Sequence, residues 1–181
     1  MLRTAVTEET FVESFDRIVD GAFEPSRGQW LPDALSSAAS ALGDHGLIWF
    51  LLAVARARKP GRPRRVALRA LVFTGAVAPL VNSALKRAVG RVRPQRRPGR
   101  SVPVRIPRTA SFPSGHALAA WCAATLLAEG DPLAPTYYGM AAAISLSRVH
   151  VRLHHATDVV AGSVLGVLLG RAGRALLPIA N

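Results

Sequence analysis

Residues 147–158, SRVHVRLHHATD, hold two arginines, three histidines and an aspartate between runs of small apolar residues. Each of these groups costs free energy to remove from water, so their concentration points to a charged ligand or a reaction centre. His154 and Asp158 stand four apart, a spacing that puts both on one helix face. The carboxylate can then hold one ring nitrogen and leave the other nucleophilic. His155, three residues from Asp158, can reach the same carboxylate. Two further polar clusters precede this one, KRAVGRVRP at 86–94 and PSGH at 113–116. Lys86, Arg93 and Arg148 beside the imidazoles of His116 and His154 make a poor metal site, because the neighbouring positive charge repels a cation. They make a good phosphate site. Arginine forks bind phosphate oxygens in pairs, and a Ser114-Gly115 turn opening a helix aims backbone N–H groups at an anion. A nucleophilic imidazole, an acid to orient it, a second imidazole as proton donor and a cationic cradle complete a phosphoryl-transfer set.

These residues need elements that bring them together. The chain has 181 residues, half of them hydrophobic, a net charge of +12 and a pI near 11.6. That is one core rather than two, read as a single domain over 1–181, and a basic balance that calls for an anionic partner. The lone Cys122 lies in an apolar run and excludes a disulfide framework or a multi-cysteine metal site. Residues 7–30 read as an amphipathic helix and linker, with Phe11, Phe15, Ile18 and Val19 at helical spacing, too polar to span a bilayer and expected at its interface. The acidic residues there leave no room for a cleavable secretion signal. Residues 31–65 form one helix or two around GDHG, with His45 a turn residue, and end in a basic loop. Four apolar segments follow at 66–89, 115–128, 134–149 and 157–171, rich in the Gly and Ala that close helix packing in lipid requires. If they cross the bilayer in turn, the end of the first, the start of the second, the end of the third and the start of the fourth share one face. All three polar clusters fall at those ends.

Lys86 with Arg93-Pro94, then Pro113-Ser114-Gly115-His116, then Ser147-Arg148 with His154 and Asp158, resemble in order and spacing the three-part signature of the type 2 phosphatidic acid phosphatase superfamily. The resemblance implies an all-α integral membrane helical bundle, multi-pass in the cell membrane, with 66–171 as its catalytic core and 7–30 as an interfacial helix. It implies a lipid phosphate phosphatase in which His154 attacks phosphorus and Asp158 orients it. His116 protonates the leaving oxygen and then activates water, and Lys86, Arg93, Ser114, Gly115 and Arg148 bind the phosphoryl oxygens. No metal and no cofactor are implied. The expected substrate is a phospholipid or polyprenyl (pyro)phosphate. The basic loops at 56–65 and 86–108 nearly cancel under the positive-inside rule, and the resemblance tips the site to the extracytoplasmic face.

Two competing readings are a non-enzymatic binder of anionic lipid or nucleic acid and a vanadate-dependent haloperoxidase. No aromatics interleave the basic loops, so nucleic acid is not an expected partner, and the short membrane-type chain disfavours the oxidase. Small-residue helix faces are compatible with a homo-oligomer. His150 and Arg152 are expected to be solvated or to face headgroups, and Arg91, Arg96, Arg97, Arg100, Arg105 and Arg108 to form a solvated coil on anionic headgroups, the alternative being that some grip a second phosphate or a sugar-phosphate headgroup. Asn82 and Ser83 are expected to satisfy polar groups near the end of their helix.

Overall fold

The structure, a computed structural model, describes residues 9–95, 104 and 106–179. Helix α1 (Phe11–Phe23) starts at Thr10, whose hydroxyl accepts from the Glu13 N–H while the Glu13 carboxylate accepts from the Thr10 N–H. Phe11 and Ile18 point outward, whereas Asp16 turns inward. This reversal of the usual pattern suits a helix lying in the membrane interface.

Helices α2 (Trp30–Gly43) and α3 (Leu47–Ala57) part at the GDHG turn, where His45 (φ 54°) and Gly46 (φ 68°) are left-handed. The segment is therefore two helices, and together Trp30–Ala57 is long and apolar enough to cross a membrane. Helix α4 (Arg62–Val72) begins four residues before the apolar run, because Pro63 supplies the fixed φ of a first turn. A π turn at Phe73–Val77 leads into α5 (Ala78–Val89), so Arg62–Val89 is a second candidate span. Gly90, at φ 63°, ends α5 and donates its N–H to the Lys86 carbonyl. Helices α6 (Gly115–Leu127), α7 (Ala134–His150) and α8 (Ala156–Leu176) complete the bundle, with α8 the third candidate span. Among the described residues there is no strand.

Helix α6 is the central post, with Ala117, Ala120, Ala123, Ala124 and Leu126 all buried. Helix α8 lies directly on it. A Cβ at Gly162 would stand 2.5 Å from the Ser114 carbonyl oxygen and one at Gly166 2.9 Å from Trp121 Cβ, so only hydrogen fits at either position. Leu80, Val160, Val164 and Leu168 face outward as an apolar surface suited to lipid. At the end of the bundle away from the polar clusters, Arg56 pairs with Asp131, and Arg69, Arg62 and Arg174 pair with Glu129, fastening the α6–α7 turn to its neighbours.

The expectation that His150 and Arg152 are solvated is corrected here: both are buried. His150 Nε2 lies 2.7 Å from Asp33 Oδ1, and Arg152, left-handed at φ 52°, donates to Asp20 at 2.8 Å and to Glu24 at 2.6 Å. The N-terminal third folds back over this turn and supplies acids that pair with both. Arg27 completes the cover by donating to the carbonyls of Val149 (3.0 Å) and His150 (2.9 Å) at the end of α7.

Candidate active site

The three polar clusters meet at one end of the bundle, as alternation of the helices requires. Lys86 comes from the last turn of α5, and Arg93 from the irregular segment after Gly90. Ser114 is the N-cap of α6, and Arg148 sits in the last turn of α7. His154 lies in the tight turn between α7 and α8, and Asp158 in the first turn of α8. The Ser114 N–H donates to the Asp158 carbonyl at 3.0 Å, and the His154 N–H to the Arg148 carbonyl at 3.2 Å, so the starts of α6 and α8 and the end of α7 are locked together through backbone.

His154 is 3% exposed. Its Nδ1 stands 3.7 Å from Asp158 Oδ2, an ion-pair separation longer than a hydrogen bond, and its Nε2 lies 3.3 Å from Arg93 Nη1. A guanidinium can only donate, so the tautomer that fits carries its proton on Nδ1, towards Asp158, and a lone pair on Nε2, towards the cations. Burial pushes this imidazole down to about 4; Arg93 and Arg148 push the same way, against the pull of Asp158. His154 is therefore neutral at physiological pH. The ring of His155 instead turns to the Val92 carbonyl at 3.3 Å, and only its backbone N–H donates to Asp158, at 2.9 Å. Of the two neighbours, His154 presents its ring to the carboxylate.

The Arg93 guanidinium is held by the carbonyls of Leu153, Thr109 and Ala110, Lys86 Nζ donates to the Ala110 carbonyl, and Arg148 Nη1 donates to Ser40 Oγ. Two buried donors of this cluster, Ser114 Oγ and Arg148 Nε, have no hydrogen-bond partner. An unpaired buried polar atom costs about 1–3 kcal/mol, so two in one site suit a ligand rich in acceptor oxygens. His116 lies beside Arg148 on a cavity of about 760 Å³ that Asp44, His45, Ile106, Pro107 and Arg108 also line, and its Nε2 is 2.7 Å from Asp44 Oδ1. Among the described residues no group of His, Cys, Asp and Glu is placed to hold a metal ion.

With this geometry in place, comparison with known proteins is decisive: residues 67–178 match the PAP2 superfamily, the type 2 phosphatidic acid phosphatases. The chain belongs to that family. A decaprenylphosphoryl-5-phosphoribose phosphatase of Mycobacterium tuberculosis is 35% identical over 138 residues, 76% of each chain. One from Mycolicibacterium smegmatis is 40% identical over 127 residues, 69% of this chain and 68% of the relative. Two solved structures share the fold. A transmembrane PAP2-type phosphatidylglycerolphosphate phosphatase from Bacillus subtilis aligns with a TM-score of 0.74 at 24% identity, covering 91% of this chain and 85% of that one. Aquifex aeolicus LpxE aligns with a TM-score of 0.72 at 20% identity, covering 94% and 98%. The protein is thus a membrane phosphatase of the PAP2 superfamily.

This PAP2 chain uses residues that sequence reasoning missed. Arg91, assigned above to a solvated coil, donates to Asp158 Oδ1, Thr157 Oγ1 and Asp16 Oδ2, each at 2.7 Å. Ser111 Oγ donates to Asp158 Oδ2. Asp158 is fully buried, held by Arg91, Ser111 and the His155 N–H. Nothing in the spacing of the loop separates Arg91 from its neighbours, and no motif marks Asp16 on α1. Arg108 does line the cavity, while Arg96, Arg97, Arg100 and Arg105 lie outside the described residues. Asn82 also departs from expectation: its amide packs against Gly115 and its Oδ1 is buried and unpartnered. It lines a cavity of about 380 Å³ with His45, Thr74 and His116. Through His45, Gly46 and Thr74 that space adjoins an apolar cavity of about 390 Å³ lined by Trp49, Phe50, Leu71, Ala123 and Leu127.

Proposed function

We propose that this PAP2 protein removes a terminal phosphate from a polyprenyl-linked or phospholipid phosphate through a phosphohistidine on His154, without a metal. The observation that carries the reading is the His154 ring, buried and neutral, with its Nδ1 side on Asp158 and its Nε2 lone pair turned to Arg93. Nε2 attacks phosphorus as the P–O bond to the lipid breaks. The electron pair of that bond goes to the leaving oxygen, which takes a proton from His116. His116 then removes a proton from water, whose oxygen attacks phosphorus, and the P–N pair returns to His154, releasing inorganic phosphate. Lys86, Arg93 and Arg148, with the Ser114 hydroxyl and the Gly115 N–H at the start of α6, neutralise the charge on the equatorial oxygens. The apolar cavity beside the site suits a lipid tail. The relatives named for decaprenylphosphoryl-5-phosphoribose favour a prenyl-linked sugar phosphate among the candidates. With the basic loops at the two ends nearly cancelling under the positive-inside rule, the family likeness is what favours an extracytoplasmic active site.

The test is phosphate release by purified protein in detergent from a polyprenyl phosphate, phosphatidic acid, phosphatidylglycerophosphate and a prenyl-linked sugar phosphate, with excess chelator present. Wild type is expected to turn over at least one of them and to trap label as an acid-labile, base-stable phosphoenzyme. Equal release by His154→Ala would overturn the reading.

A further inference from the structure

We propose that the GDHG turn between α2 and α3 is a working part of the active site, with Asp44 a positioning residue that holds His116 for proton transfer. The inference rests on His116 being the general acid of the reading above. Asp44 Oδ1 lies 2.7 Å from His116 Nε2 across 72 residues of sequence. The turn is shaped to reach that ring. A Cβ at Gly43 would stand 2.9 Å from His116 Cδ2 and 2.8 Å from Ile144 Cγ2, so a side chain there would push the turn off the imidazole. His45 adopts φ 54° and Gly46 φ 68°, breaking an otherwise spanning apolar segment at the level of His116. A left-handed non-glycine residue is disfavoured, and such strain is retained where the turn has a task.

A carboxylate on the wall of a phosphate cavity repels the substrate unless it does something else there. Asp44 is half exposed, and the other charged or titratable groups facing His116 are His45 of the turn, Arg148 of α7 and Arg108 of the loop. Burial, and then Arg148, disfavour a protonated imidazole; Asp44 is the anion that favours it. Accepting the Nε2 proton, it also fixes the ring so that Nδ1 is the nitrogen that exchanges a proton with the leaving oxygen and later with water. Asp44 accepts only a hydrogen bond, so it acts only through His116.

The discriminating measurement is kcat/KM, which covers the steps up to loss of the leaving group, on two substrates. An alkyl lipid phosphate needs a protonated leaving oxygen, whereas p-nitrophenyl phosphate has a leaving group stable as an anion. Asp44→Asn is expected to lower kcat/KM on the alkyl phosphate about 10- to 100-fold and on p-nitrophenyl phosphate by less than about threefold. The alkaline limb of the alkyl-phosphate profile should move to lower pH, and Asp44→Glu should recover part of the loss. Equal losses on both substrates with an unmoved limb, or no loss on either, would overturn the role of Asp44. His116→Gln is measured in parallel. If it fails to separate the two substrates, the general-acid reading beneath the inference falls; if it separates them and Asp44→Asn does not, only the inference falls.

Discussion

Lowering the pH from 7 to 4 should destabilise this protein through His154 by an amount that can be worked from its surroundings. The unfolded imidazole titrates at 6.5 and the folded one at about 4, chiefly because burial opposes the charge. Between those values the unfolded chain binds a proton that the folded chain does not, so stability is full above 6.5, falls as the pH falls, and levels off near 4. A difference of about 2.5 units at ~1.36 kcal/mol each is about 3 kcal/mol, or roughly 6–12 °C in melting temperature for a chain of this size. The assay is thermal denaturation in detergent at pH 7, 5.5 and 4 for wild type and His154→Gln. The variant removes the titrating ring and leaves every other acid and histidine in place. Its absolute stability will differ, since Asp158 loses a neighbour, so the comparison is of slopes with pH. Wild type should lose about 3 kcal/mol more than the variant across the range. Parallel curves would refute the argument, because they would mean that His154 titrates in the folded protein as it does in water. The same neutral imidazole predicts an acid limb of turnover near pH 4, well below the ordinary histidine range.

Arg91→Ala should cost about 2–4 kcal/mol: two buried carboxylates each lose a charge-assisted bond of about 1.5–3 kcal/mol, reduced because Arg91 is partly exposed. Thermal denaturation measures the loss, and Asp16→Asn combined with it should be less than additive. Gly166→Leu should destabilise by at least about 1–3 kcal/mol by forcing α8 off Trp121 and the α6 backbone, whereas Gly139→Ala, with open space around it, should be neutral or stabilising. His155→Ala should keep turnover within about twofold, because its ring faces the Val92 carbonyl and its contact with Asp158 is through backbone. A loss as large as that of His154→Ala would reassign the nucleophile.

What the sequence discloses here is what repeats locally. The Pro-Ser-Gly turn before α6 and the succession of apolar segments are short-range patterns realised close to where they were read, whereas His154 meets Asp158 from the turn before α8 and not from a shared helix face. Contacts made by distant acids are not legible in the same way. His150 finds Asp33 across 117 residues and Arg152 finds Asp20 across 132, and neither acid carries a motif that would direct it there. The same holds for Arg91, one arginine among many in its loop until α1 brings Asp16 to it. GDHG is readable as a turn, but which ring it meets depends on how α2 packs along α7.

The distribution of carboxylates over cations explains why a chain so rich in arginine keeps a few available for phosphate. Arg27, Arg56, Arg69, Arg91, Arg152 and Arg174 are each paired with an aspartate or glutamate, and they fasten helices. Among the described residues, Lys86, Arg93 and Arg148 have no carboxylate within ion-pair distance. Their partners are the carbonyls of Ala110, Leu153 and Thr109 and the hydroxyl of Ser40. Neutral acceptors fix a side chain without cancelling its charge, so these cations stay oriented and still carry a net positive field into the cavity. The N-terminal third, which carries no signature of its own, takes part in that sorting: Asp16, Asp20, Glu24 and Asp33 bind the structural cations and histidine around the site. Their placement leaves Asp158 and Asp44 as the acids set against the two imidazoles.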